Sequence, residues 1–421
     1  MEQLSYGEFS AALHKRKMGE RAPLQVAIEV TRRCPLECQH CYNNLPMGDL
    51  EAKSREMTKE EHFALIDQLV EMGCFWILYT GGEIFARRDF LEIYTYAKKR
   101  GFLITLFTNG TIMNEQIADY LAEWPPFAIE ITLYGRTRET YETLTMIPGS
   151  YDRCLRGIKL LKERGLPLKL KTVPTSINKH EVMAMRRFAE DELGVEFKMD
   201  GQINPRIDCS QSPLAVRLTP EDLVALDMAL PKGRSEYLRL AKMNIEAALP
   251  SKTEGVYRCG GGKNSFAINA DGEMSICTIS QQDSFDIRGG RVNQVWADAL
   301  LQVRETKPTR DSKCVQCRIR TICGMCPANG ELERGDKESP VEFLCHVAHL
   351  RAAVVGVEVP AHGHCEFCNG GSEYEAVVES ARRINSKEVD VESWSSSQSF
   401  FSILNNTSPV STGCGTCGAS Q

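Results

Sequence analysis

No stretch of this chain is apolar enough to cross a bilayer. Nowhere do about 18 apolar residues run uninterrupted, and the opening MEQLSYGEFSAALHKRKMGE carries no apolar h-region. These absences exclude a membrane-spanning helix and a secretory signal, so a cytoplasmic protein is expected. An excess of positive charge is missing too. The 50 Lys and Arg stand against 56 Asp and Glu, a net charge of -6, which excludes a general affinity for nucleic acid or an anionic membrane. There is no internal repeat. With 42% hydrophobic and 25% charged residues among 421, the composition is that of a globular protein with room for two domains.

Cysteine, by contrast, is abundant, with 17 residues. A reducing compartment does not keep disulfides, so most of these thiols are expected to be metal ligands, with a few spares. Cys34, Cys38 and Cys41 in TRRCPLECQHCYNN follow a C-x3-C-x2-C spacing, with Tyr42 immediately after. Three thiols leave one position of a metal or cluster open; a zinc site completed by His40 or a distant residue is the alternative. The triplet follows the first of six β-branched runs: VAIEV (26–30), WILYT (76–80), LITLF (103–107), AIEITL (128–133), LKLKTV (168–173) and VEFKM (195–199). Amphipathic stretches near 58–72, 89–100, 114–123, 137–145, 151–164 and 179–192 separate them, with Thr58, Asp89 and Asn114 as N-caps. Repeated βα units imply an α/β fold with a parallel sheet. Six units curve into a partial (β/α)6 TIM-type barrel, with active residues in the loops after the strands.

The triplet with its aromatic neighbour, the GGE of YTGGEIFARRDF (79–90), TNGT (108–111) and EITLYG (130–135), each placed after a successive strand, resemble the radical SAM superfamily. The resemblance implies a 4Fe–4S cluster on Cys34, Cys38 and Cys41 whose open iron chelates S-adenosylmethionine (SAM). Tyr42, Gly81, Gly82, Glu83, Asn109, Thr132 and Arg153 would face that cofactor. The two glycines would admit close backbone approach, Glu83 would meet the methionine amine, Thr132 the ribose and Arg153 the SAM carboxylate. Ile84 stands where the family usually has Pro. The plain readings are a βα turn for GGE, a strand-end Thr and a solvated helix Arg. The implied chemistry is reductive cleavage of SAM to a 5'-deoxyadenosyl radical that takes a hydrogen atom from substrate, with the cofactor carrying the hard step. No catalytic base is assigned.

Further on, Cys259-x12-Gly272-x4-Cys277, Cys314-x2-Cys317-x5-Cys323-x2-Cys326 and then Cys345 are similar to the SPASM extension of radical SAM enzymes, apart from one x2 step where that pattern has x3. The resemblance implies two auxiliary 4Fe–4S clusters. Cys314, Cys317, Cys323 and Cys345 would complete one, while Cys259, Cys277 and Cys326 would begin another that lacks a fourth cysteine. A pair of zinc knuckles is the alternative. Thr278 follows Cys277 where the anaerobic sulfatase-maturating branch has an Asp base, which counts against that activity.

The expected organisation is an N-terminal segment (1–24), a barrel (25–211), a connector with a helix around 234–248 (212–258), a cysteine-rich domain (259–350) and a largely disordered tail (351–421). In the tail, His362, His364, Cys365 and Cys368 supply a missing cluster ligand, bind zinc or form an unliganded loop. Cys414 and Cys417 read as resolving thiols, part of a fused peptide substrate, or plain tail. Cys74, Cys154 and Cys209 read as buried or incidental thiols. The expected function is modification of a peptide or protein side chain, forming a thioether or carbon–carbon bond in a ribosomally made peptide. It would need a low-potential electron donor such as ferredoxin or flavodoxin. Only 24 residues precede the first strand, so a separate peptide-carrier protein is a further expected partner. Radical SAM modification of a small molecule or cofactor precursor and a non-catalytic zinc scaffold are the alternatives.

Overall fold

The structure, a computed structural model, describes residues 5–17, 19–246 and 255–394; Cys414 and Cys417 lie outside them. Nine strands share one sheet: β1 (Gln25–Thr31), β2 (Trp76–Gly81), β3 (Leu103–Thr108), β4 (Ala128–Thr132), β5 (Leu168–Thr172), β6 (Phe197–Met199), β7 (Ser265–Ile268), β8 (Glu273–Ser275) and β9 (Phe285–Asp286), in the order β9-β8-β7-β1-β2-β3-β4-β5-β6. From β1 to β6 every pairing is parallel, the six-unit partial barrel that alternating strand and helix patterns require. Residues alternate between faces along each strand. On β3, Ile104, Leu106 and Thr108 are buried while Leu103, Thr105 and Phe107 are half-buried. Each buried Ile or Leu on such a face stabilises the fold by roughly 1.5–3 kcal/mol relative to exposure.

The principal helices are α1 (Tyr6–Arg16), α2 (Lys59–Glu71), α3 (Phe90–Lys99), α4 (Glu115–Glu123), α5 (Arg138–Thr145), α6 (Ser150–Glu163), α7 (Val182–Arg187), α8 (Pro220–Ala229), α9 (Gly233–Glu246), α10 (Pro327–Arg334), α11 (Glu342–Val354) and α12 (Tyr374–Asn385). Thr58 and Glu61 form a capping box at α2, and Asn114 accepts from the Ile117 amide at α4. Asp89 does not cap α3. Its carboxylate is instead taken by Arg87, at 2.7 and 3.0 Å, because a neighbouring guanidinium outcompetes a backbone amide. The helix expected over 179–192 is split into a 3-10 turn (Lys179–Glu181), α7 and a π turn (Phe188–Glu192).

Two results concern the far end of the chain. The cysteine-rich region begins inside the barrel's own sheet: β7 pairs in parallel with the free edge of β1, and β8 and β9 follow antiparallel. Phe266, Ile268, Met274, Val292 and Leu300 join the main apolar core. Residues 351–394, expected within a largely disordered tail, are folded: α12 buries Val377, Ala381 and Ile384 and packs against α11. The sparse apolar residues there lie at helical spacing, which a compositional reading averages away. Among the described residues no helix is long and apolar enough to cross a membrane.

Candidate active site

The loop after β1 hooks back on itself. Arg33 and Cys34 pair with Leu45 and Pro46, and Asn44 Nδ2 donates to the Leu36 carbonyl at 3.0 Å. From the loop after β6, Arg206 clasps the far end, donating to Asn44 Oδ1 at 2.9 Å, the Asn44 carbonyl at 2.8 Å and the Cys41 carbonyl at 3.2 Å. At the near end, buried Arg33 makes a two-point ion pair with Glu56, at 2.8 and 3.1 Å. Cys34 and Cys38 are buried in this hook and Cys41 half-buried. Burial, followed by the neighbouring thiols of Cys41 and Cys34, pushes the Cys38 thiol well above its usual range. Three such thiols ionise together only beside a cation, so the donor set fits an iron-sulfur cluster.

Two glycines let the next loop lie on this one. At Gly81, with φ of +124°, a Cβ would fall 2.1 Å from the Thr31 carbonyl oxygen, and at Gly82 it would fall 2.4 Å from that of Arg32. Their smallness serves the contact between the loops after β1 and β2, besides any approach to a ligand. Glu83 is buried completely. Its carboxylate accepts from Thr108 Oγ1 at 2.7 Å, the Asn109 amide at 2.8 Å and the Phe85 amide at 3.2 Å, and burial raises its pKa to about 7. The Asn109 side chain in turn donates to Cys34 Sγ at 3.5 Å. A third glycine supports this contact from behind: a Cβ on Gly157 of α6 would fall 2.3 Å from the Gly110 carbonyl oxygen.

Of the residues expected to face SAM, the structure thus joins Gly81, Gly82, Glu83 and Asn109 to the cysteine hook. The Tyr42 hydroxyl points into the barrel and donates to Glu29 Oε1 at 3.1 Å. Thr132 lies half-buried at the end of β4, opposite Lys171. Arg153, in the first turn of α6, donates to the Pro148 carbonyl at 3.4 Å, outside this network.

The sequence reading missed several residues. Glu29 also accepts from Asn43 at 2.6 Å and from Gln281 of the cysteine-rich region at 3.3 Å, and burial raises its pKa to about 7. On the same concave face Lys198 meets Glu130 at 2.6 Å and Lys171 lies 3.7 Å from it, with burial bringing Lys171 down to about 8. Their signal was charge at alternate positions, one residue each in VAIEV and AIEITL and two each in LKLKTV and VEFKM. That pattern ordinarily marks a solvated face, but in a partial barrel it marks the interior.

In the cysteine-rich region Cys314, Cys317, Cys323 and Cys345 gather at one place. Burial, then the Cys317 thiol, pushes Cys314 up to about 11, and Cys345 is raised by burial and by Cys323. Cys326 lies with Cys277 and Cys259, its thiol raised to about 11 by burial and by both of them. A cavity of about 910 Å³ is lined by members of both groups. His362, Cys365 and Cys368 converge with His349 of α11, whereas His364 is exposed.

Residues 28–189 match the Radical SAM superfamily. The AdoMet-dependent heme synthase of Oleidesulfovibrio alaskensis is 26% identical over 78% of this chain and 89% of that protein. The PqqA peptide cyclase of Rhodopseudomonas palustris is 25% identical over 71% and 80%. Streptococcus suis SuiB bound to precursor peptide SuiA shares the fold, with a TM-score of 0.60 at 16% identity, covering 79% of this chain and 80% of that one. The family implies a 4Fe–4S cluster and SAM, and the thiol triplet is a suitable host for the cluster. The chain is thus an enzyme with a radical SAM domain over residues 28–189, followed by a cysteine-rich region.

Proposed function

We propose that this enzyme abstracts a hydrogen atom from a peptide or protein side chain and so forms a thioether or carbon–carbon bond in a ribosomally made peptide. Cys34, Cys38 and Cys41 would hold the SAM-binding cluster. When bound, that cluster and SAM supply the 5'-deoxyadenosyl radical. The backbone at Gly81 and Gly82 with the Glu83 carboxylate would receive the methionine amine, Asn109 would steady Cys34, and Tyr42 would line the pocket. Thr132 would meet the ribose and Arg153, after a rotamer change, the SAM carboxylate.

Residues 25–211 carry this chemistry in our reading, and 259–350 carry two auxiliary clusters, on Cys314, Cys317, Cys323 and Cys345 and on Cys259, Cys277 and Cys326. A low-potential donor such as ferredoxin or flavodoxin would reduce them. A separate peptide-carrier protein is a further partner in this reading. The observation that carries the proposal is the chain of contacts from Glu83 through Asn109 to Cys34, which fastens the GGE loop to the thiol triplet. The likeness to a peptide cyclase supports a peptide substrate; the likeness to a heme synthase favours a tetrapyrrole-like small molecule as the second reading.

The test is anaerobic reconstitution of wild type and a Cys34→Ala/Cys38→Ala/Cys41→Ala variant, with iron, sulfide and SAM cleavage under dithionite measured. Wild type should hold about twelve irons and release 5'-deoxyadenosine, and the variant about four fewer irons with no release. Cleavage surviving the triple change would overturn the assignment. Mass change in a cysteine-containing precursor peptide, against turnover of an iron porphyrin precursor, separates the two substrate readings.

A further inference from the structure

His349, His362, Cys365 and Cys368 are all buried, and one ligand atom from each lies within 4.8 Å of the others. The group is assembled from two elements. His349 comes from α11, and its Nδ1 lies 2.7 Å from the Cys345 carbonyl oxygen one turn earlier. A carbonyl can only accept, so that bond assigns the proton to Nδ1 and leaves the Nε2 lone pair free. Nε2 faces Cys368 Sγ at 3.4 Å and Cys365 Sγ at 3.5 Å. His362 Nδ1 lies 3.3 Å from Cys368 Sγ and also 3.0 Å from the Pro360 carbonyl oxygen, so this ring must give up that carbonyl contact to turn a lone pair on Nδ1 toward an ion.

These spacings suit a single ion. Bonds of about 2.3 Å to sulfur and about 2.0 Å to nitrogen, at the tetrahedral angle, put S···N edges at about 3.5 Å. The segment CEFCNGG (365–371) has the form of a metal-binding knuckle. Gly370 has φ of +85°, and a Cβ on Gly371 would fall 2.2 Å from the Glu366 carbonyl oxygen and 2.7 Å from that of Cys365. The turn closes by the Gly371 amide donating to the Cys368 carbonyl at 2.8 Å and the Glu373 amide to the Glu366 carbonyl at 2.8 Å.

We propose that His349, His362, Cys365 and Cys368 bind one structural zinc ion, distinct from every iron-sulfur cluster of the enzyme. Two thiolates and two imidazoles complete a tetrahedron without an open position, the donor set and closure of structural rather than catalytic zinc. The ion ties the knuckle and the following α12 to α11. It thereby steadies the helix that carries Cys345. The knuckle borders Cys317 and Cys345, which belong to the group that already has four thiols, so it is not placed to complete the group of Cys259, Cys277 and Cys326. The proposal goes beyond the function proposed above and stands or falls separately from it.

The full chain, reconstituted anaerobically with iron and sulfide and offered zinc, should retain about one zinc per chain after passage over a chelating resin. Cys365→Ser/Cys368→Ser should lose that zinc while keeping its iron. Cobalt offered in place of zinc should give wild type the visible absorption bands of tetrahedral thiolate-bound Co²⁺, and the double variant none. Wild type without zinc and without the cobalt bands overturns the proposal, as does a double variant that keeps its zinc or loses about four irons in its place, which would make these thiols cluster ligands. If the double variant does not fold, the wild-type measurements still decide, and His362→Ala should weaken zinc retention with the fold intact.

Discussion

Replacing Gly157 by alanine sets two effects of opposite sign against each other. Gly157 lies in the middle of α6, where helix propensity alone predicts that Ala stabilises by about 1 kcal/mol. The structure predicts the reverse. The new Cβ would stand 2.3 Å from the Gly110 carbonyl oxygen and 3.1 Å from Met113 Cβ, so helix and loop must part by about 1 Å to reach van der Waals contact. The loop has no slack behind it, since Gly110 has φ of +73° and a Cβ there would already be 3.0 Å from Ile131 Cδ1. Overpacking of this kind costs about 1–3 kcal/mol. After the propensity gain, a net loss of up to about 2 kcal/mol remains. The neighbouring residue is Asn109, so a shift of about 1 Å also loosens its contacts with Cys34 and Glu83 and should lower the rate of SAM cleavage by up to about 100-fold. Anaerobic denaturation and 5'-deoxyadenosine release measure both. Gly7→Ala, in α1 with nothing within 4 Å of its Cβ position, is the control and should be neutral or slightly stabilising. Gly157→Ala matching or exceeding wild type in stability, with cleavage unchanged, would refute the reasoning.

Glu29 and Glu83 are each raised from 4.5 to about 7 by burial. The folded state therefore binds more protons than the unfolded one between those values, so stability falls as pH rises from 4.5 to 7 and levels off above, by about 3 kcal/mol per group; Glu29→Gln should flatten part of this slope in denaturant titrations at pH 5.5 and 8, and an unchanged slope would count against it. Because a cationic amine favours ionised Glu83, SAM affinity should weaken up to about tenfold per pH unit below 7, and equilibrium binding that is flat from pH 6 to 8 contradicts this. Arg206→Ala removes three hydrogen bonds to the cysteine hook, worth about 2–3 kcal/mol together; chelator should strip iron from it several-fold faster than from wild type, and equal rates would show the clasp to be idle. Thr58→Ala should cost about 1 kcal/mol through the lost cap of α2 and leave SAM cleavage unchanged.

What the sequence determined by itself was local. Six runs of β-branched residues separated by amphipathic stretches become six parallel strands and their helices because side-chain periodicity decides which face is buried. The spacing of Cys34, Cys38 and Cys41 brings three thiols into one hook because they are neighbours in the chain, and GGE and TNGT come together because parallel strands end at the same edge. Tertiary structure decided what depends on long-range approach. Glu29 and Lys171 became interior charges only through the curvature of the sheet. Gly157 is required by a loop some 47 residues away in sequence, as the register of α6 on Gly110 shows. His349 stands 13 residues before His362 on an unremarked helix, and joins the knuckle only because α11 lays one face against the loop before α12. A metal site built from one helix and one loop leaves no spacing to read until both are folded.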